Sequence, residues 1–469
     1  MLNSLFLRPN LQPCAFPRTV ANKVFSLVKS FILWYYQNNT ERKEAKHVNL
    51  KKKLRPFRHY LFSILKWTFF GTLMGALGGL LGAGFHHALH FVTHVRGENT
   101  WLIFLLPLGG VMTIGLYWLL RLKNNRGTNE IIDATLDGRP VSPLVAPGIF
   151  LATSFTHLFG GSAGREGAAL QLGGSIASLL GRIFRLEADD RKVLIMSGMS
   201  AVFAGLFGTP LTACLFTMEF ESVGTIFSPA LLPCYLAAFV ASGISSQLGV
   251  HPEGLPMEAV NVLFTPDVWK FAVLALAVAL LGIAMCWIFH KAEHFAQKWI
   301  PNVWLRITIG GALIVAMTLL VGDQRFNGAG MDMALQAVQG QTDWYNFALK
   351  LLFTAITLAA GFKGGEIVPT FCIGATFGCM LGSLLGMDPR IAAALGLVGL
   401  FCCATNSPLA SIVLSIEMFG ADNLHVFALM CVICFVLSGR TGLYASQILR
   451  FSKASAWDSD QKEPATPGH

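Results

Sequence analysis

Residues 161–167 read GSAGREG, and residues 361–367 read GFKGGEI. Each stretch sets Gly, two residues, Gly, one residue and Glu in the same order, and each runs into apolar sequence of helical character. A second pair follows at nearly the same separation: GTPLTACLFTME at 208–219 and NSPLASIVLSIE at 406–417. The chain therefore repeats itself, and the repeated units carry carboxylates inside hydrophobic sequence. In a bilayer that combination marks a route for charge.

The chain has 469 residues, of which 54% are hydrophobic and 13% charged, and its mean hydropathy is +0.56. A soluble protein of this size needs a far more charged surface. Apolar segments of spanning length fall at about 60–92, 101–121, 229–248, 270–289, 303–321 and 422–438. Lipid leaves the backbone to satisfy itself, and the period-two alternation of a β-barrel is missing. The expected fold class is an all-α polytopic membrane protein. Its 47 glycines and 36 phenylalanines suit closely packed, interrupted helices better than a simple anchor.

Residues 1–59 differ from the rest. A short apolar stretch at 24–36 precedes a basic run from Arg42 to Arg58. The stretch is too short for a confident span and lacks a cleavage site, so an interfacial amphipathic segment is expected. The basic run is expected on the cytoplasmic side, against anionic lipid rather than nucleic acid. The membrane domain runs over about 60–452. It divides near 250–268 into repeats of approximately 60–250 and 268–452, and a polar tail occupies 453–469. Repetition alone leaves parallel and inverted arrangements open.

Glu166 is the sharpest candidate. The glycines before it open the backbone, and a helix is expected to start close to it. Free N–H groups at such a start hold an anion, and the Glu166 carboxylate can occupy that position itself. Protonated, it would leave and carry a proton. Desolvation and nearby N–H donors act on its protonation in opposite senses, so sequence does not fix its state. The alternative is an ordinary first-turn glutamate. Glu366 holds the equivalent place and is a candidate proton helper, or a structural cap. Pro369 suits a first turn, which makes the backbone N–H groups of Ile367 and Val368 candidate anion donors.

Asn125, Gly127 and Thr128 lie in LKNNRGTNEIID. They form either a re-entrant loop facing the ion or an exposed loop. Arg126, among them, either attracts anions or reaches solvent. Tyr444 offers a hydroxyl that can donate to a halide. Glu219 and Glu417 end the matching Pro-Leu units and are expected to satisfy polar groups near one membrane face.

Several patterns are set aside. His290 and His294 form HKAEH, an inverted zinc-protease pattern, directly after an apolar span. His86, His87, His90 and His94 crowd the end of another span, where solvated histidines suffice. Cys431 and Cys434 form CVIC with no second ligand pair in sequence, and are expected to be small buried apolar residues. No GxxxxGK loop and no convincing GxSxG elbow is present, so an ATP-driven pump or hydrolase lacks support. No cofactor or metal is expected.

Together the motifs resemble the CLC family of anion channels and anion/proton antiporters over roughly residues 65–450. The specific signals are GSAGREG, FGTPLTACLFTME at 207–219, GFKGGEIVPTFCIGATFG at 361–378, NSPLASIVLSIE and Tyr444. The resemblance implies an inverted repeat with discontinuous and re-entrant helices, and a homodimer with one pore per subunit. It also implies helix N-termini aimed at a central halide, Glu166 as the gate and Tyr444 as the central tyrosine. NRGTN at 125–129 replaces the family's GSGIP, with Arg126 at the place of its serine. Phe220 stands where chloride/proton exchangers carry an inner proton glutamate. GGEIVP in place of GGIFAP resembles the fluoride-exporting branch, as does THLFGGSAGREG at 156–167. That branch, however, typically carries threonine at the place of Val368 and methionine at that of Arg126. The expected function is proton-coupled halide antiport exporting fluoride across a prokaryotic inner membrane. A chloride channel or chloride/proton antiporter is the alternative, and a scaffold with a degenerate site is the reading from a different class.

Overall fold

The computed structural model describes residues 50–123, 125–251, 254–258, 266–449 and 453, without the side chains of 50–59. The apolar stretch 24–36, residues 42–49 of the basic run and nearly all of the tail lie outside the described residues. By contacts the chain divides into Met1–Ile64 and Leu65–His469. Of the first unit only 50–64 are described, and these are helical.

Among the described residues there are sixteen α-helices. The first half holds α1 (Leu50–Glu98), α2 (Leu106–Leu119), α3 (Thr128–Asp137), α4 (Val145–Leu158), α5 (Glu166–Ile183), α6 (Ala188–Phe207), α7 (Pro210–Glu219) and α8 (Leu231–Gln247). The second holds α9 (Val268–Trp299), α10 (Val303–Val321), α11 (Met331–Val338), α12 (Asn346–Ala360), α13 (Ile367–Leu385), α14 (Pro389–Thr405), α15 (Pro408–Phe419) and α16 (Leu424–Leu437). Two short strands, β1 (Ser222–Val223) and β2 (Ile448–Leu449), pair in parallel.

Five of the six expected spans are helices long and apolar enough to cross a membrane. The segment expected at 422–438 is instead the 14-residue α16, while the 19-residue α13 joins the long apolar set. A spanning helix needs about 20 residues. Helices of 10 residues such as α3 and α7 therefore stop part-way, as a discontinuous, re-entrant architecture requires.

The two halves build the same parts. Every residue of Val193–Phe207 in α6 and of Ile391–Thr405 in α14 is buried, as a helix apolar on all sides must be. A Cβ on Gly173 of α5 would come 2.1 Å from the Gly198 carbonyl oxygen of α6. In the second half a Cβ on Gly378 of α13 would come 2.2 Å from the Ala392 oxygen of α14. Lipid gives apolar helices no hydrophobic drive to associate, so close backbone approach through small residues holds these pairs. Helix α6 ends at Gly208 with φ 69° and α14 at Asn406 with φ 58°. A proline opens the next helix in each half, so the turn chemistry of the Pro-Leu units is repeated as well.

Tertiary contacts make the repeat inverted. Glu219, at the end of α7, accepts from the N–H groups of Leu409 (3.2 Å) and Ala410 (2.9 Å) at the start of α15. Glu417, near the end of α15, accepts from Leu211 N (2.9 Å), Thr212 N (2.9 Å) and Thr212 Oγ1 (2.5 Å) at the start of α7. Each glutamate caps the other's helix, so α7 and α15 run antiparallel. This corrects the expectation of one shared face: the two carboxylates sit at opposite ends of the pair.

Candidate functional site

The Gly-rich bends of the two halves meet directly. Gly164 and Gly365 form an antiparallel bridge, with Gly164 N donating to Gly365 O at 2.5 Å. A Cβ on Gly164 would lie 2.3 Å from Glu166 Oε2 and 2.9 Å from Pro369 Cδ, so any side chain there would displace the carboxylate or the proline ring. From this bridge the chain enters α5 at Glu166 on one side and α13 at Ile367 on the other.

Glu166 is fully buried, with 0% exposure. Its Oε2 accepts from Arg165 N at 3.0 Å and from Val368 N at 3.2 Å. The carboxylate therefore sits on the N–H groups of two helix starts, one from each half, where the backbone favours an anion. Its Oε1 finds no protein partner among the described residues. Glu366 is the N-cap residue of α13, and its carbonyl accepts from Thr370 N (3.0 Å) and Thr370 Oγ1 (2.7 Å). Its own Oε2 is buried without a partner.

Tyr444 is 5% exposed, and its hydroxyl is likewise unpartnered among the described residues. Its loop is tied down on several sides. Leu443 N donates to Ala404 O at 2.8 Å, Ser446 N donates to Asn129 Oδ1 at 3.1 Å, and His290 Nε2 lies 3.2 Å from Leu443 O. Buried polar atoms are ordinarily paired. Glu166 Oε1, Glu366 Oε2 and Tyr444 Oη are exceptions among the described residues, as are atoms elsewhere such as Tyr117 Oη and Thr153 Oγ1.

The loop 125–128 contributes unequally. Gly127 caps α3 with φ 63°. Thr128 is buried, and its Oγ1 would lie 3.1 Å from a Cβ on Gly167, the residue after Glu166. Gln171 Nε2 links Thr128 Oγ1 (3.4 Å) to Gly167 O (3.1 Å). Asn125 turns inward on its own loop, accepting from Gly127 N at 3.1 Å and donating to Glu130 Oε2 at 2.5 Å. The side chain of Arg126 is 59% exposed and pairs with Asp133.

Sequence reasoning missed an aromatic column beside the site. Phe220 packs edge-on against Tyr444, with ring centroids 4.8 Å apart. Phe216 lies 4.9 Å from Phe220 and 5.7 Å from Phe401, which lies 5.2 Å from Phe371 in α13. It also missed Lys350, fully buried in α12. A lysine alone in the apolar run NFALKLLFTAITLAA was the available signal.

The set-aside patterns find local roles. No group of three His, Cys, Asp or Glu among the described residues is placed to hold a metal. His86 is half-buried, with its Nδ1 3.3 Å from Arg165 Nη1. The fold does bring a second thiol pair to CVIC, since Cys402 and Cys403 donate to the Cys431 and Cys434 carbonyls, each at 3.3 Å.

A multi-pass membrane domain whose two halves aim helix starts at one buried carboxylate is the architecture of an ion-transport protein. Residues 110–439 match the protein family described as voltage gated chloride channel. The chain belongs to that family, the CLC family, and is a CLC-type anion-transport protein. It is 36% identical over 402 residues to the chloride/fluoride channel protein of Pseudomonas syringae pv. tomato, covering 83% of this chain and 88% of that protein. It is 26% identical over 436 residues to the H(+)/Cl(-) exchange transporter ClcA of Vibrio campbellii, covering 84% of this chain and 90% of the relative. Among solved structures, a CLC-type fluoride/proton antiporter superposes with a TM-score of 0.80 at 32% identity, over 83% of this chain and 99% of that one. A slow cyanobacterial Cl−/H+ antiporter superposes at 0.67 with 21% identity over 79% of this chain and 94% of that one, a likeness of fold.

Proposed function

We propose that this protein is a fluoride/proton antiporter of the inner membrane, in which inward proton movement drives anion export. The observation that carries the reading is the Glu166 carboxylate, fully buried on the N–H of Val368 from the opposite half at 3.2 Å. A halide and this carboxylate compete for the same helix-start donors. Deprotonated, Glu166 fills the position and blocks the route. Protonated, it loses its hold on the N–H groups and swings out with its proton, and an anion replaces it. Glu366 serves as a second titratable group, which matters because Phe220 stands where the resemblance expects an inner proton glutamate and packs its ring on Tyr444. Backbone N–H groups of Ile367 and Val368, the Tyr444 hydroxyl and the α3 start at Gly127 and Thr128 contribute to anion binding, with Asn125 holding that start. The glutamate in GGEIVP and the likeness to the fluoride/proton antiporter favour fluoride over chloride.

In the same reading two subunits form a homodimer in the lipid bilayer, with one pore each. Residues 1–59 form a basic cytoplasmic or interfacial segment, 60–452 the transport domain and 453–469 a polar tail.

The test is flux through purified protein in liposomes, comparing fluoride with chloride under an imposed pH gradient. Uphill fluoride movement with weak chloride flux supports the proposal, and Glu166→Gln then abolishes the proton drive. Chloride flux at least as fast as fluoride, without proton coupling, sinks it. That outcome favours the second reading, a chloride channel, for which the replacement of an inner proton glutamate by Phe220 speaks.

A further inference from the structure

Lys350 is 0% exposed in the second turn of α12. Its ammonium carries three donors, and all three are used. Nζ donates to Ser162 Oγ at 3.0 Å, Phe326 O at 3.1 Å and Gly328 O at 2.7 Å. Among the described residues no carboxylate reaches ion-pair distance of it. A buried ammonium spent wholly on neutral acceptors is costly, and its bonds tie three separate segments at one point.

Ser162 belongs to GSAGREG, four positions before Glu166. Phe326 and Gly328 belong to the link between α10 and α11. The same link grips the bend twice more. Gly328 N donates to Gly161 O at 3.0 Å, and Asn327 Nδ2 donates to Gly160 O at 2.7 Å. Helix α12 adds Thr357, whose Oγ1 accepts from Ser162 N at 3.1 Å, and Thr354, whose Oγ1 lies 3.0 Å from Ser162 Oγ. Gly330 closes the pocket, since a Cβ there would meet Lys350 Cε at 2.7 Å.

The bend is thus pinned at its front by second-half residues, while Glu166, at its back, bonds the second half again through Val368. A shift of the bend would break the Gly164–Gly365 bridge and move the carboxylate off its donors together. We infer that Lys350 is a positioning residue for the gate: by clamping Ser162 it holds Glu166 in register with the α13 start. This inference rests on the gate reading of Glu166.

The experiment uses full-length protein in fluoride-loaded liposomes and measures the proton-to-fluoride ratio and the fluoride leak without a gradient. Ser162→Ala removes one acceptor and leaves the other two lysine bonds. Lys350→Met keeps the chain length and removes the donors. Thr354→Val removes the neighbouring hydroxyl alone. Glu166→Gln serves as the reference. Losing one charge-assisted hydrogen bond is expected to raise the leak roughly tenfold and lower the ratio, in Ser162→Ala and more strongly in Lys350→Met, with Thr354→Val close to wild type. If Lys350→Met fails to fold, Ser162→Ala decides. A folded Ser162→Ala with wild-type ratio and leak overturns the inference, as does a Thr354→Val indistinguishable from it. If Glu166→Gln itself leaves coupling intact, the gate reading fails first and takes this one with it.

Discussion

Glu166 and Glu366 share a sequence pattern and end in different surroundings. Both follow a glycine bend, and both stand at the start of a long helix. Glu166 sends its carboxylate across to Val368 N in the other half. Glu366 uses its carbonyl to cap its own helix through Thr370 and keeps its Oε2 unpartnered. The bends differ too. The first is gripped by Lys350 from outside, whereas the second carries its own lysine, Lys363, whose Nζ lies 4.7 Å from the centroid of the Tyr117 ring. The local motif makes a helix start with a carboxylate beside it. What that carboxylate touches is set by which half it meets.

The sharpest way to break this contrast is Glu366→Gln, which keeps size and carbonyl cap and removes only the ionisable group. Proton-driven fluoride uptake into liposomes is expected to fall roughly a hundredfold, the scale of a lost proton-transfer group, with the melting temperature preserved. Unchanged coupling would reduce Glu366 to a cap. Next in size is Gly164→Ala. Its methyl would press on Glu166 Oε2 at 2.3 Å, so stability should drop by about 1–3 kcal/mol, as overpacking does, and coupling should weaken with it. A variant as stable and as coupled as wild type would show that the bends do not need to touch.

The reciprocal caps offer a symmetric test. Glu219→Ala and Glu417→Ala each leave two backbone N–H groups at the start of a short helix without their acceptor. Each should cost about 1–3 kcal/mol in thermal unfolding, and by similar amounts. A large asymmetry, or a change in proton coupling confined to Glu219, would give that residue a role beyond capping. The smallest effect is expected at Arg126. Its pair with Asp133 is solvent-facing, with 59% of the arginine side chain exposed, so Arg126→Ala should shift stability by less than about 1 kcal/mol. Fluoride flux should stay near wild type. A marked loss of flux would return Arg126 to the anion entrance.

Much of this was legible in the chain. Long apolar runs announced a helical membrane domain, and paired GxxGxE and Pro-Leu units announced two equivalent halves. The glycines and Glu166 located a helix start, and α5 does begin at Glu166. These are local signals: hydropathy, glycine φ freedom and proline at a helix opening all act within a few residues. A span expected at 422–438 failed for the same local reason, because hydropathy records apolarity and not where a helix stops.

What sequence left open depends on contacts between distant residues. Inversion of the repeat rests on Glu219 and Glu417 capping each other's helices. Glu166 meets Val368 N across a separation of 202 residues. Lys350 reads as one lysine in an apolar helix until Ser162, Phe326 and Gly328 close around it. Phe220 reads as a lost glutamate until its ring lies on Tyr444. The sequence by itself determined the class of fold, the two halves and the ionisable groups inside them. Only the tertiary structure decided which backbone donors each carboxylate meets, because a hydrogen bond requires two groups within about 3 Å, and packing alone sets that distance between segments so far apart in the chain.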